Sequence, residues 1–310
     1  MKFYEAKRVM KVSVITPTYN REQLLKETMD SILKQTFTDF ELIIVDNYSV
    51  DSTEKLVKSY NDKRIRYFKN RNGGIVAVNR NFGINEAKGE LIAFCDDDDL
   101  WMPKKLEKQI LEFEKDSQVG LVCTNGFSFD KNGIRGKMGR SIDHYLVFDQ
   151  LLKDNTIPSC SVMVRKRALD EVGIFDESQD ILTAEDYELW LRIATKFKIK
   201  YIGTQLVKYR VHAGTFQSTY LKGVKPLEIM QRVYKKLLEK EIIDFKLYEK
   251  ACDRLNHRII TRKILHGDKT VNLELIQKTN MTPWEKFRVM IFYMLFRVGI
   301  LQVVLWQSRK

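Results

Sequence analysis

The chain has 310 residues, 44% of them hydrophobic, which suits one large globular domain or one domain with an appendage. Its net charge is +12, yet residues 221–310 alone hold 19 Lys and Arg against 9 Asp and Glu, so the first 220 residues are near neutral and nucleic acid is not an expected partner. Four widely spaced cysteines (Cys95, Cys123, Cys160, Cys252) without a Cys-x-x-Cys pair exclude a zinc site or disulfide frame, and the N-terminus lacks the apolar core of a signal peptide; both predict a cytoplasmic protein.

In chain order, Val12-Ser-Val-Ile-Thr16 reads as an apolar strand closed by Pro17. Residues 21–36 have helical apolar spacing at Leu24, Leu25, Met29, Ile32 and Leu33. Phe40-Glu-Leu-Ile-Ile-Val45 is a continuous apolar run of the kind found in sheets covered on both faces. Ser49, Asp51 and Ser52 offer N-caps for a helix over about 52–60. A third strand, 65–68, leads into the glycine loop Asn70-Arg-Asn-Gly-Gly74 and a helix that Lys88-Gly89 is expected to end. The fourth strand is expected at 91–95. Two more are expected at 120–127 and 159–165, and a helix at 182–197. Past residue 225 the pattern is helical, rich in Lys, Arg and Leu, which places a domain edge near 220.

Strands and helices alternating at intervals of about 25 residues predict an α/β fold of βαβ units with a mostly parallel sheet. Ligands in such sheets bind outside the carboxyl ends of the strands. Thr16–Asn20, Asp46–Ser49 and Asp96–Asp99 all lie at such ends, so three polar clusters are expected to converge.

Asp96-Asp-Asp-Asp99 is the most informative of them. Four adjacent carboxylates repel one another and need a cation or hydrogen-bond donors. A divalent metal is the obvious candidate at the end of a buried strand, since carboxylate oxygens are its preferred hard ligands and substrate phosphates usually complete its shell. The competing reading is an acidic loop whose last member, Asp99, caps the helix after Pro103. Neither the Gly-x-Gly-x-x-Gly turn of dinucleotide-binding enzymes nor a Gly-x-x-x-x-Gly-Lys-Ser/Thr loop follows the first strand, which reads Thr16-Pro-Thr-Tyr-Asn-Arg21. With no glycine turn to cradle phosphate, a metal has to supply the countercharge.

The ordered set resembles the family 2 glycosyltransferases. It comprises Val12–Arg21, Ile43-Ile-Val-Asp46 with Ser49-x-Asp51, Asn79-Arg-Asn-x-Gly-Ile84, Ala87-Lys-Gly-Glu-Leu-Ile92, Asp96–Asp99, Gly173-x-Phe-Asp-Glu177 and Glu185-Asp186. The resemblance covers about residues 11–215. It implies a GT-A fold, Rossmann-like, with a nucleotide-sugar half over about 11–100 and an acceptor half over about 101–220. It also implies a nucleotide-sugar donor, Mn2+ or Mg2+, and inversion at the anomeric carbon. Carried over by position, Pro17, Thr18 and Tyr19 line the nucleobase. Asp96 and Asp97 contact ribose and metal, and Asp98 is the direct metal ligand.

The family's base falls on Asp186, with Glu185 as runner-up; alone, Asp186 reads equally well as an ordinary acid at a helix N-terminus. Tyr209-Arg-Val-His212 resembles the segment that often ends the catalytic domain, so Arg210 could pair with a donor phosphate and His212 could reach phosphate or metal, although a lone His is more often structural. Many relatives have Asp-Asp where this chain has Asp46-Asn47. Asn47 can accept a uracil N3–H through its amide oxygen, but without charge, and it can also donate. UDP is expected first and dTDP second.

Residues 284–306 are strongly apolar and bracketed by Trp284 and Trp306, as aromatics are at membrane interfaces. Arg288 and Arg297 fall on opposite sides of a helix at about 100° per residue, so no clean polar face exists. A break near Gly299 is expected, with the segment either dipping into a membrane or packing on the domain or a dimer partner. The basic region before it suits anionic lipid. The sequence thus predicts a metal-dependent inverting glycosyltransferase at the inner face of the cell membrane, acting on a glycan or lipid-linked acceptor. The alternatives are a non-catalytic nucleotide-sugar-binding module and a sugar nucleotidyltransferase.

Overall fold

The computed structural model describes residues 12–212, 225–265, 273–277 and 283–297. The chain forms two compact units, residues 1–215 and 216–310.

The first unit is built on one mixed sheet. Its strands are β1 (Val12–Thr18), β2 (Phe40–Asp46), β3 (Ile65–Lys69), β4 (Leu91–Phe94), β5 (Leu100–Trp101), β6 (Val119–Asp130), β7 (Gly133–Lys137), β8 (His144–Leu146), β9 (Met163–Arg165) and β10 (Lys198–Arg210). Its helices are α1 (Glu22–Leu33), α2 (Thr53–Ser59), α3 (Val76–Glu86), α4 (Lys105–Lys115), α5 (Phe148–Leu151), α6 (Lys166–Val172) and α7 (Glu185–Lys196).

The strand order is β3-β2-β1-β4-β9-β6-β10-β5, with β7 added on β6 and β8 on β10. β3, β2, β1 and β4 are mutually parallel, and β6 and β10 are parallel to each other. β9 runs antiparallel to both β4 and β6, so it is the reversed strand joining two parallel sets. Every residue of β1, β2 and β4 is buried, which is why these strands read as continuous apolar runs. β1 is flanked by β2 on one side and β4 on the other. The connections leave it in opposite directions there, and the ends of β1 and β4 border the crevice that this topology creates.

Several local expectations need correcting. β1 does not stop at Pro17 but continues to Thr18. Its pairing with β4 ends at Ile15, so Pro17 lies where β1 has β2 alone beside it and the missing N–H is tolerated. Gly89 does not close α3, which ends at Glu86. A Cβ on Gly89 would come within 2.7 Å of the Ser13 backbone nitrogen, so it is the close approach to β1 that requires glycine. Residues 159–161 are a 3-10 turn, with strand only at Met163–Arg165.

Asp99 does not cap α4. Gln35 does so, accepting the Leu106 N–H with its amide oxygen (3.0 Å) while its amide nitrogen donates to the Met102 carbonyl (2.8 Å). Nor does a serine cap α2; Asp51 accepts the Thr53 N–H at 3.0 Å.

β10 is a strand that the sequence pattern does not predict. Register shifts around Ile202, Gln205 and Val207 break its alternation, and its signal is carried by pairing along β6. It delivers the Arg210–His212 segment to the site.

The second unit is helical over its described residues: α8 (Lys225–Glu239), α9 (Phe245–Leu265), α10 (Leu273–Gln277) and α11 (Pro283–Arg297). α8 buries Leu227, Met230, Val233, Tyr234 and Leu237, a helical stripe. Ile260 and Ile264 of α9 join Ile276 of α10 and Val289 of α11 in a separate small core. Among the described residues no helix is long and apolar enough to cross a membrane. The break expected near Gly299 and the aromatic at Trp306 lie outside the described residues.

Candidate active site

The tetrad sits on a tight turn after β4, where the Asp99 N–H donates to the Asp96 carbonyl (3.2 Å). The carboxylates are met from several elements. Asp96 Oδ1 accepts Arg80 Nη2 of α3 at 2.8 Å. Asp97 Oδ2 accepts Thr18 Oγ1 at the end of β1 (2.8 Å), and its Oδ1 accepts Arg21 Nη1 (2.9 Å). Asp98 Oδ2 is 3.1 Å from Arg21 Nη1 and 3.0 Å from His212 Nε2. Asp99 Oδ1 accepts the Arg210 backbone N–H at 2.8 Å. The four carboxyl groups are therefore divided among two guanidinium groups, an imidazole, a hydroxyl and a backbone amide, and the run does not face one ligand as a block. Asp99 is fully buried, and the Cys160 thiol lies within hydrogen-bonding reach of its carboxyl. Burial, followed by the nearby Asp98 and Asp96 charges, raises its pKa well above the ordinary carboxylate value.

Asp97 is also buried, and that burial raises its pKa to about 6 against the pull of Arg21.

The motif Asn79-Arg-Asn81 on α3 serves three places. Asn79 Nδ2 approaches the Val45 carbonyl at 3.4 Å, and Asn79 Oδ1 accepts Asn70 Nδ2 at 3.0 Å. Asn81 clasps Phe175: its Nδ2 donates to the Phe175 carbonyl (2.9 Å) and to Glu177 (2.8 Å), and its Oδ1 accepts the Phe175 N–H (3.0 Å). Phe175 then packs edge-on against Phe94 and Trp190, with ring centroids 5.1 and 5.9 Å away. This fixes α7 against β4.

Arg80 links the tetrad to the start of α7. It is buried, and its Nη1 donates to Glu185 Oε1 at 2.7 Å while Nη2 holds Asp96. Arg80 and Arg21 lie inside sequence motifs, yet nothing local in those motifs points to an ion-pairing role. An Arg between motif asparagines carries no periodic signal; its two acidic partners lie 16 and 105 positions away.

Glu185 and Asp186 lie in the first turn of α7, after Thr183 at φ 79°. Both Glu185 oxygens are engaged, Oε1 by Arg80 and Oε2 by the Thr183 N–H (2.8 Å). Asp186 Oδ1 accepts the Tyr187 N–H (2.6 Å), and its Oδ2 takes no protein hydrogen bond among the described residues. Asp186 keeps part of its surface in solvent, but neighbouring atoms crowd its carboxyl. That burial, then the Glu185 charge, raises its pKa to about 7, with Arg80 opposing.

On the far side of β1, Asn47 Oδ1 accepts the Asn72 N–H (3.0 Å), so the amide oxygen already holds the glycine loop. Tyr19 is 52% exposed. Asp46 is buried and accepts the Ser49 N–H (2.8 Å) and the Tyr67 hydroxyl. Arg210 extends along the tetrad, with Nε on the Asp98 carbonyl (2.7 Å), Nη2 on Glu27 (2.6 Å) and its guanidinium 4.5 Å from the centre of the Phe129 ring.

Among the described residues no three His, Cys, Asp or Glu side chains form a ready metal shell. The donor chemistry nevertheless fits a hard divalent ion. Asp96 Oδ2 and Asp98 Oδ1 have no protein hydrogen bond among the described residues, and the His212 ring lies beside Asp98.

The chain matches the family described as glycosyl transferase family 2 over residues 13–173. It is 32% identical over 216 residues to the Escherichia coli UDP-Glc:alpha-D-GlcNAc-diphosphoundecaprenol beta-1,3-glucosyltransferase, covering 69% of this chain and 82% of that one. Three further curated relatives are longer, and the chain spans 30% to 46% of each. Residues 1–349 of Staphylococcus aureus TarS in complex with UDP-GlcNAc superpose with TM-score 0.66 at 19% identity, over 94% of this chain and 89% of that one, whereas the chain covers 54% of the longer TarS structure. The mannosyltransferase PcManGT of Pyrobaculum calidifontis, solved with GDP-Man and Mn2+, gives TM-score 0.54 at 16% identity, over 94% and 87%. At these identities the two structures speak for the GT-A fold alone.

Proposed function

This chain belongs to glycosyl transferase family 2, and we propose that it moves a sugar, with inversion, from a nucleoside-diphosphate sugar to a hydroxyl of a glycan or lipid-linked acceptor in surface polysaccharide synthesis. The observation that carries this reading is Arg80, which ties Asp96 of the tetrad to Glu185, the neighbour of Asp186. A donor end and a base are thereby held to one frame, as a displacement requires.

At the donor end, Pro17, Thr18 and Tyr19 line the nucleobase, and Asp97, braced by Thr18 and Arg21, faces the ribose. The Asn47 oxygen is spent on Asn72, so its amide nitrogen is the group left to donate to a pyrimidine carbonyl. UDP-Glc in the name of the E. coli relative and UDP-GlcNAc in the TarS crystal support uridine first, with thymidine second. Asp98 would be the direct ligand of Mn2+ or Mg2+, with Asp96 and His212 completing the protein's share of the shell. A bound ion would offset the diphosphate charge and stabilise the departing nucleotide. The Mn2+ in PcManGT supports this assignment. Arg210, already lying along the tetrad, can turn from exposed Glu27 to a donor phosphate.

At the acceptor end Asp186 is the base. Its free Oδ2 takes the proton of the attacking hydroxyl, and its raised pKa matches such a task near neutral pH. Glu185 has no oxygen to spare and serves to position α7. The diphosphoundecaprenol in the E. coli relative's name supports a lipid-linked acceptor, which peripheral contact of the C-terminal region with the inner face of the membrane would bring within reach.

The test is a screen of nucleotide sugars with Mn2+ for donor turnover, then transfer with and without acceptor. Asp98→Ala should abolish turnover and Asp186→Asn should abolish transfer. Transfer by Asp186→Asn at the wild-type rate would overturn the base assignment.

A further inference from the structure

α11 is apolar on two faces, and each face meets a different environment. Val289 is buried, with Met290, Phe292, Tyr293 and Phe296 packed against Ile260, Ile264 and Ile276. The opposite face is bare: Trp284 is 66% exposed, Phe287 51%, Ile291 39%, Met294 48% and Leu295 36%. At about 100° per residue these five fall within an arc of roughly 100°. The Trp284 and Phe287 rings stack at 5.6 Å, which makes one continuous ridge at the start of the helix. Inner packing is satisfied without this ridge, so a contiguous exposed apolar strip marks an interaction surface.

The charges select the occupant. Arg288 is exposed next to the strip, and α11 holds Lys286, Arg288 and Arg297 against Glu285. The whole of residues 221–310 carries ten more basic than acidic residues, which opposes pairing of this face with a second copy and favours an anionic surface. At 1.5 Å per residue the helix is roughly 22 Å long, too short to span a bilayer. We propose that α11 lies in the plane of an anionic phospholipid bilayer, with Trp284, Phe287, Ile291, Met294 and Leu295 inserted among the acyl chains and Arg288 at the headgroup phosphates. The inference deepens the reading of a lipid-linked acceptor and rests on it only for its biological purpose.

The test is co-sedimentation of the full chain with vesicles of phosphatidylcholine alone and of phosphatidylcholine with phosphatidylglycerol. Wild-type protein should bind the anionic vesicles and not the neutral ones. Phe287→Glu with Ile291→Glu, changes at exposed positions, should lower that binding by about tenfold or more. The melting curve and donor turnover of this variant should stay at wild-type values. Arg288→Gln should weaken binding less and reduce its salt sensitivity. Equal binding by wild type and the double variant would overturn the proposal, as would wild-type protein that ignores both vesicle types. A wild-type dimer that the double variant dissociates, without vesicle binding, would also overturn it and assign the strip to self-association. Intact, variant-sensitive vesicle binding in a protein that turns over no nucleotide sugar would uphold this inference while removing the catalytic reading.

Discussion

Arg80 and Glu185 are joined at 2.7 Å across 105 positions of sequence, and both are buried. The second arm of the same guanidinium holds Asp96, so one side chain fixes the distance between the tetrad and the N-terminus of α7. Coulombic attraction to Asp96 and Glu185 outweighs burial and holds the Arg80 pKa above its ordinary value, so the group stays charged throughout the working pH range.

Replacing Arg80 by Gln is expected to remove the countercharge from two carboxylates at once. Breaking a buried pair from one side costs about 3–5 kcal/mol, so the melting temperature should fall markedly. Arg80→Lys keeps the charge but cannot reach both partners with a planar fork. It should melt closer to wild type yet transfer sugar at least about tenfold more slowly, with the kcat for transfer affected more than the donor KM. Thermal denaturation and steady-state kinetics check both.

The rate of transfer is expected to rise with pH through about 7, because Asp186 must be ionised to take a proton and its pKa is raised to about 7. A pH profile of kcat/KM at saturating metal measures this. A rising limb near the ordinary aspartate value of 3.8 would remove Asp186 as the base.

Asp186→Asn is also expected to stabilise the fold. The folded pKa lies above the unfolded one, so ionisation opposes folding, and the penalty develops between about pH 4 and pH 7 and is full above it. The variant should match wild type in melting temperature at pH 4 and exceed it at pH 8, by about 1–3 kcal/mol in stability. The Tyr187 N–H can still donate to the amide oxygen of Asn, so no hydrogen bond is lost.

Removal of divalent ions by a chelator should abolish donor turnover and weaken nucleotide binding, with Mn2+ restoring both. Asp98→Ala should bind nucleotide without dependence on added Mn2+ in calorimetry. His212→Ala should keep a weakened dependence, since the carboxylates of Asp98 and Asp96 remain.

Asn81→Ala is expected to act through folding. It strips the Phe175 backbone of both partners and Glu177 of one, at about 1–3 kcal/mol for each buried group left unsatisfied. Its turnover per folded molecule should stay within about tenfold of wild type, read by activity against the folded fraction from circular dichroism.

The sequence by itself determined the strands of the nucleotide half and the polar ends of β1, β2 and β4. These are local: a strand buried on both faces must be continuously apolar, and the residues that follow it are free to be polar. The ordered motifs determined the family for the same reason, since each is a short run in chain order. Tertiary structure alone decided how the aspartates are shared out. Arg21, Arg80, the Arg210 amide and His212 reach them from the residue before α1, from α3 and from the end of β10, and no spacing rule connects those places. It likewise took Asp99 from its expected cap and gave that task to Gln35, because a hydrogen bond follows proximity in space and not along the chain. On α11 the sequence offered apolar residues all round and no polar face. Only packing separates the side that α9 and α10 cover from the side left bare, because burial belongs to a pair of surfaces and a single helix supplies one of them.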